Sequence, residues 1–150
     1  MSEVGGAGDA AREALRHAHA LHSEQRIPEA LREAQRALDL DPGYVEALTY
    51  LGTTLVTRRL AFAEGLERLE RAAALAPNDA GVIYSLGWCY EFVAYRLEKQ
   101  ATRPYRDPRE LYELAAQYLQ RCIDLEPEPG LKDDAADLLG SIRGRLSRGL

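Results

Sequence analysis

Apolar and small residues recur along this chain at helical spacing in paired segments, and the second segment of each pair ends alike. The three endings are residues 37–42, 72–77 and 122–127, each closed by proline. Proline fixes φ, lacks a backbone N–H and disfavours a helical conformation in the residue before it, so each ending marks a helix stop. Upstream of each stop lies another amphipathic segment with a small residue at its centre, namely Ala18, Gly52 or Gly87. The pattern predicts three α-helical hairpins.

Capping and turn signals give the predicted bounds. Residues 1–9 are Gly-rich and are predicted to form a flexible tail, with Asp9 as the N-cap of a helix over about 10–24. The hairpins are predicted at about residues 10–41, 44–76 and 79–126. Residues 131–147 place apolar side chains on one face, and they predict a helix that caps the array.

The third hairpin contains an insertion. Consecutive proline stops lie 35 residues apart between the first two copies and 50 apart between the last two. Helical spacing continues past Phe92, so the first helix of this pair is expected to overrun before an insert at about 96–107. Asp107 then provides an N-cap for the next helix, with Pro108 in its first turn.

The insert concentrates basic residues in a chain whose net charge is −5. Its predicted secondary site consists of Lys99, Arg103, Tyr105, Arg106 and Arg109. Three interpretations stay open: a solvated irregular loop, a docking site for an acidic partner, and a contact with RNA.

The hairpin pattern resembles that of the tetratricopeptide repeat (TPR) family. The third copy carries the first-helix signature best, with Ile83, Leu86, Gly87 and Tyr90. Second-helix matches are Ala30, Ala34, Ala37 and Pro42, then Gly65, Leu69, Ala72 and Pro77, then Ala115, Leu119, Cys122 and Pro127. The resemblance implies an all-α superhelical solenoid of three TPR-like hairpins plus a C-terminal capping helix, in a single domain over about residues 10–147.

In proteins of this family the first helices of the hairpins line a concave groove that holds a peptide or a helix of a partner. By resemblance, the groove residues are Leu15, His19 and His22, then Thr49, Tyr50, Thr53 and Val56, then Tyr84, Trp88, Glu91 and Tyr95. Aromatic side chains give a large contact area at low rotamer entropy, so Tyr84 and Trp88 are the predicted anchors. The alternative is that the overrunning helix, the insert or a second protomer buries them.

One specialisation of the family, a basic clamp for the acidic C-terminal tails of chaperones, is missing from this sequence. The corresponding positions hold Leu15 and His19, then Tyr50, then Gly81 and Ser85. None of these side chains is Lys, Arg or Asn, so a chaperone tail is not the expected ligand.

The composition argues against several classes of partner and location. Acidic residues number 24 against 19 basic ones, which disfavours nucleic acid and anionic membranes as partners, because their binders need a basic face. No apolar run approaches the ~18 residues of a membrane span and no signal peptide is recognised, so we expect a cytoplasmic location. Cys89 and Cys122 fall inside predicted helices and are expected to be buried and unpaired.

Catalytic chemistry finds little support in the chain. His17, His19 and His22 are not expected to bind one metal ion together, because His17 points away from the other two. The chain contains no phosphate-binding glycine loop, nucleophile elbow or zinc-protease motif. We therefore expect no enzyme activity, no catalytic residue, no metal and no cofactor.

The sequence thus predicts a non-enzymatic interaction module, or adaptor, that binds a protein or peptide partner in its groove. Two alternatives stay open. One is a client-specific chaperone of the secretion type, because three-copy chains of this length resemble the secretion chaperones of the family. The other is a homo-oligomeric scaffold whose aromatic residues pair with a second copy of the chain.

Overall fold

The computed structural model describes residues 2–102 and 104–150, and these residues form seven α-helices and no strand. Side chains are described from Gly8 onward, residue 103 excepted. The helices are α1 (Ser2–Ser23), α2 (Ile27–Leu40), α3 (Val45–Arg58), α4 (Phe62–Leu75), α5 (Ala80–Glu98), α6 (Pro108–Asp124) and α7 (Pro129–Arg148). The all-α class expected from the sequence is confirmed. None of the seven described helices has the length and hydrophobicity that a membrane span requires.

The helices divide between two compact units, one ending at Leu75 and the other beginning at Ala76. In the first unit α1 packs on α2, α2 on α3, and α3 on α4. Alanines dominate the buried positions of the first hairpin, and Ala11, Ala14, Ala18, Ala30, Ala34 and Ala37 are each at most 1% exposed. Short side chains let two helices approach closely. That all three hairpins form one domain over residues 10–147 remains a prediction.

The second hairpin, α3 with α4, is built around two glycines. A Cβ on Gly52 would lie 2.7 Å from Leu69 Cγ and 2.8 Å from the Gly65 carbonyl oxygen. A Cβ on Gly65 would lie 2.6 Å from Val56 Cγ2 and 2.7 Å from the Gly52 carbonyl oxygen. Separations this short do not occur between real Cβ atoms and their neighbours, so any larger residue would push α3 and α4 apart.

In the second unit α5 packs on α6 and α6 on α7, with a smaller contact between α5 and α7. The predicted packing stripe of α5 is buried, since Ile83 and Leu86 are 0% and Tyr90 is 1% exposed. Gly87 lets α6 come close, because an added Cβ would lie 3.0 Å from Leu119 Cγ. The core of this unit also contains Cys89, Cys122, Ala135, Leu139 and Ile142. Both cysteines are buried, and within the described residues neither forms a disulfide.

The helices that flank the insert end and begin where their local signals lie. α5 continues to Glu98, in keeping with the overrun that the spacing predicts. α6 begins at Pro108, and the Asp107 carboxylate accepts a hydrogen bond from the Arg109 backbone N–H at 3.1 Å. The connection between the two helices is therefore residues 99–107.

The predicted start of α1 is wrong. The sequence predicts a tail over residues 1–9, of which residue 1 lies outside the described residues, yet α1 already begins at Ser2. Asp9 lies inside the helix, where its carboxylate pairs with the Arg12 guanidinium one turn later. An ion pair at i,i+3 supports a helix interior, and it replaces the N-cap role that the sequence suggested for Asp9.

We predict opposite effects of the same substitution at two glycines. Gly52→Ala should lower the free energy of unfolding by about 1–3 kcal/mol, because the added methyl overlaps α4. Gly140→Ala should raise it by about 0.5–1 kcal/mol, because alanine favours a helix and nothing lies within 4 Å of a Cβ at this position of α7. Urea denaturation followed by circular dichroism measures both. Equal losses of stability in the two variants would contradict the close approach of α3 and α4.

Candidate partner-binding surface

One side of α5 carries the predicted anchors. We call Tyr84, Trp88, Glu91 and Tyr95 the α5 aromatic face; they follow one another at steps of three and four residues. Such steps place side chains on one side of a helix. Tyr84, Trp88 and Glu91 are half-buried, and Tyr95 is 45% exposed. The face is therefore partly open to solvent, unlike the packing stripe that contains Leu86.

Trp88 is held by its neighbour on the next turn. Its ring lies 5.8 Å from that of Phe92 between centroids, with the planes inclined by 35°. The Arg96 guanidinium lies in turn 5.5 Å from the Phe92 ring centroid. Because these contacts already restrict the indole, Trp88 would lose little further rotamer freedom on meeting a partner.

Tyr95, at the C-terminal end of the face, is flanked by two cations of the chain itself. The Lys99 ammonium lies 5.2 Å and the Arg145 guanidinium 5.5 Å from its ring centroid. Both distances fall within the ~6 Å range of cation–π attraction. Arg145 comes from α7, so this contact also connects α5 with the last helix.

A polar cluster of Glu98, Tyr112 and Arg145 joins α5, α6 and α7. Glu98 Oε1 accepts hydrogen bonds from the Tyr112 hydroxyl at 2.8 Å and from Arg145 Nε at 3.0 Å. Burial alone would raise the pKa of Glu98, but the bonds from Tyr112 and Arg145 outweigh it and hold that pKa below its usual value. Burial and the bond to Glu98 raise the pKa of Tyr112, whose side chain is fully buried. The cluster therefore keeps Glu98 ionised and Tyr112 protonated at neutral pH.

Glu91, near the middle of the face, has a different environment. Within the described part of the chain, its carboxylate makes no hydrogen bond and no ion pair. Burial raises the pKa of Glu91, and the charge of Arg145 opposes the shift only in part. The pKa of Tyr84 is raised by burial and then by nearby groups, of which Asp134 on α7 is the strongest and Glu91 is another. Two carboxylates thus lie close to Tyr84.

In the first unit, the predicted groove residues gather around Tyr50. The Tyr50 hydroxyl lies 2.8 Å from His22 Nδ1, and the rings of His19 and His22 meet it edge-on at 5.0 and 5.5 Å between centroids. Burial, and then the charges of Arg58 and His19, lower the pKa of His22. Thr49 and Thr53 lie half-buried on α3, the helix that carries Tyr50. His17 is apart from this group, with its Nδ1 at 3.1 Å from Glu33 Oε1.

Two of the predicted groove residues do not lie on an open surface. Leu15 is 5% and Val56 0% exposed. Val56 packs against α4 at Gly65, which explains its burial. The prediction that Leu15 and Val56 line a groove is therefore wrong, because helical spacing alone does not distinguish a side chain at the edge of the core from one beside it.

The basic insert is largely occupied by contacts within the chain. Besides Lys99 on Tyr95, Arg106 lies 3.1 Å from Glu110 Oε1 and 5.8 Å from the Tyr90 ring centroid. Arg109 lies 3.6 Å from Glu113 and 3.4 Å from the Leu146 carbonyl oxygen. Tyr105 is 53% exposed, and Arg103 lies outside the described residues. Lys99, Arg106 and Arg109 therefore each already have a contact within the chain.

Sequence reasoning missed Glu98, Tyr112 and Asp134. The hydrogen-bonded partners of Glu98 lie 14 and 47 residues away in the chain. Two signals were available in the sequence. One was the overrun of α5, which extends this helix as far as Glu98. The other was that Tyr95 and Glu98 have the same three-residue spacing as Trp88 and Glu91.

Comparison with known proteins identifies the fold. No family model and no curated protein matches the sequence. Among solved structures, the chain is similar to the first TPR of Spaghetti (RPAP3) bound to the HSP90 peptide SRMEEVD, with a TM-score of 0.71 and 18% identity over 93% of this chain and 95% of that one. It is also similar to the N-terminal domain of stress-induced protein-1 (STI-1) from C. elegans, with a TM-score of 0.58 and 16% identity over 88% of this chain and 96% of that one.

These likenesses define the class of the protein. The chain has the tetratricopeptide-repeat fold, as its repeated hairpins predict. At this level of identity the comparison concerns the fold, and the binding properties have to be argued from the side chains of this chain.

We predict that the polar cluster makes the second unit sensitive to acid. Because the folded-state pKa of Glu98 is lowered, its contribution is fully present above the unfolded-state pKa and is lost as pH falls through the folded-state value. Glu98→Gln should cost about 1 kcal/mol at pH 7 and should flatten the fall of stability below about pH 4.5. Chemical denaturation at a series of pH values measures this.

Glu113→Gln is the matched control for this prediction. Glu113 belongs to α6, and its side chain is 52% exposed beside Arg109. Exposed pairs contribute little, so its stability profile with pH should follow that of the unaltered chain. Identical profiles for the Glu98 and Glu113 variants would show that the cluster does not hold α7 in place.

Proposed function

We propose that this chain is a non-enzymatic interaction module that binds a peptide or a helix of a partner protein, with the α5 aromatic face as its principal anchor. The observation that carries this proposal is the partial exposure of Tyr84, Trp88 and Tyr95 along one side of a single helix. Exposed aromatic residues grouped in this way are typical of binding surfaces. The residues around Tyr50 in the first unit are a second contact region.

The energetics favour Trp88 as the central anchor. Trp and Tyr combine a large apolar area with a polar group at the edge, and they are enriched among residues that dominate binding energy. Phe92 already supports one side of the indole, which reduces the entropy lost on binding. Loss of such an anchor costs roughly 2 kcal/mol or more, about thirtyfold in affinity.

The structural neighbours support a peptide-binding role in general terms, since one of them is described as bound to an HSP90 peptide. The side chains of this chain favour a different ligand. Of the positions that would form a clamp for an acidic tail, Leu15 is buried, Gly81 has no side chain, and Ser85 donates its hydroxyl to the Gly81 carbonyl at 3.0 Å. None of the three supplies a positive charge.

The proposal also includes the location of the chain and the kinds of ligand that it does not use. The chain acts as an adaptor in the cytoplasm, without a cofactor or metal and without nucleic acid or membrane as its partner. A client-specific chaperone would use the same surface. A homo-oligomeric scaffold would cover the α5 aromatic face with a second copy of the chain, and its mass in solution would then depend on concentration.

We predict that the double substitution Tyr84→Ala/Trp88→Ala strongly reduces partner capture. The immobilised chain and its variant are incubated with lysate of the source cells, and the retained proteins are identified by mass spectrometry. A partner retained by the unaltered chain should be reduced at least tenfold with the variant, since two anchors are lost. Tyr105→Ala removes an exposed aromatic residue elsewhere, and it should leave retention unchanged.

The other outcomes distinguish the alternatives. Retention that survives the double substitution but is lost in Tyr105→Ala would place the binding surface at the insert and contradict the proposal. Recovery of the chain alone, with a mass that rises with concentration in light scattering, would favour the scaffold. Circular dichroism establishes that each variant is folded before the comparison is made.

A further inference from the structure

Helix α5 contains one arrangement of two residues twice. Tyr95 and Glu98 lie three residues apart on α5, and so do Trp88 and Glu91, seven residues earlier. Seven residues are close to two helical turns, so the two pairs lie on nearly the same side of α5. Each pair combines an aromatic ring with a carboxylate one turn further along.

The C-terminal pair shows what this arrangement binds. The Arg145 guanidinium lies over the Tyr95 ring at 5.5 Å from its centroid, and Arg145 Nε donates to Glu98 Oε1 at 3.0 Å. The face of the ring carries partial negative charge and the carboxylate carries a full negative charge, so one guanidinium can make a cation–π contact and a charged hydrogen bond at the same time. The chain therefore uses an aromatic ring with a carboxylate to hold an arginine of its own.

The N-terminal pair is not matched in this way by α7. The residue of α7 seven positions before Arg145 is Leu138, which is uncharged. Within the described residues, Glu91 makes no hydrogen bond or ion pair, although it is half-buried. Asp134 of α7 adds a second carboxylate near Tyr84. A half-buried carboxylate without a paired cation carries a desolvation cost that an incoming cation would offset.

We propose that the partner segment carries a lysine or arginine side chain that binds between Tyr84, Trp88, Glu91 and Asp134, in the same manner as Arg145 binds Tyr95 and Glu98. This inference rests on the proposed function and names the chemistry of its ligand. Charge complementarity supports it, since the two carboxylates of Glu91 and Asp134 lie near Tyr84. The cations Arg96, Lys99 and Arg145 lie further along, over the rings of Phe92 and Tyr95. The expected partner is thus basic, in contrast to the acidic peptide SRMEEVD of the structural neighbour.

The chain supplies its own probe, because Trp88 is its single tryptophan. Short Trp-free peptides with leucine at helical spacing are titrated at physiological salt, with arginine, glutamine or glutamate at the polar positions. The Arg peptide should change Trp88 fluorescence saturably and should bind about tenfold more tightly than the Gln peptide. The Glu peptide should bind more weakly than both.

Matched substitutions locate the cation. Glu91→Gln should weaken binding of the Arg peptide about fivefold or more and should leave binding of the Gln peptide unchanged. Glu113→Gln makes the same change of charge on α6, and it should not affect binding of either peptide. Asp134→Asn should weaken binding of the Arg peptide, whereas the same change at Asp133, which is also exposed, should not. Equal losses with Glu91→Gln and Glu113→Gln would overturn the inference, because only the net charge would then matter.

Failure of this inference is distinguishable from failure of the proposed function. If the Gln or Glu peptide binds as tightly as the Arg peptide, the face binds peptides but has no cation site, and only the inference is wrong. If no peptide changes Trp88 fluorescence saturably and the Tyr84→Ala/Trp88→Ala variant captures partners normally, both the inference and the proposed function are wrong.

Discussion

The close approach of paired helices is the constraint on which the rest of this structure depends. At Gly52 and Gly65 each helix meets the backbone of the other, and at Gly87 the side chain of Leu119 takes the space that a Cβ would fill. Such contacts fix which side of each helix is buried. Gly87 meets Leu119 of α6, and Ile83 and Leu86 are buried. The side of α5 that carries Trp88 therefore lies elsewhere, and it is available for other contacts.

In the third hairpin, the last turn of α5 is held by a polar cluster. α5 runs to Glu98, and the carboxylate there meets Tyr112 of α6 and Arg145 of α7. A partly buried polar cluster of this kind stabilises only when every member is bonded, and here each member is. The same arginine covers one face of Tyr95. Structural support for α7 and the chemistry of the aromatic face are therefore connected through a single side chain.

Local signals made much of the fold predictable. Proline and Asp107 act on the residues beside them, so the stop of each hairpin and the start of α6 could be read from the sequence. The start of α1 could not, because the Asp9 carboxylate has two uses, as a cap or as a partner of Arg12, and sequence does not rank them. Val56 and Leu15 were wrongly predicted to line the groove, because the burial of a side chain at the edge of an apolar helix face depends on the neighbouring helices. Glu98 and its partners depend on contacts across the hairpin, which no local pattern records.

The nine-residue connection between α5 and α6, residues 99–107, joins two helix ends that are each secured by a local contact. Glu98 is bonded to Tyr112, and Asp107 caps the first turn of α6. Loop-closure entropy grows only slowly with length, by about 0.6 kcal/mol for each doubling. Evolution can therefore lengthen the middle of this connection, between Lys99 and Arg106, with little effect on the hairpin. A fluorophore or a whole domain inserted there would leave in place the contacts of Lys99 with Tyr95 and of Arg106 with Tyr90.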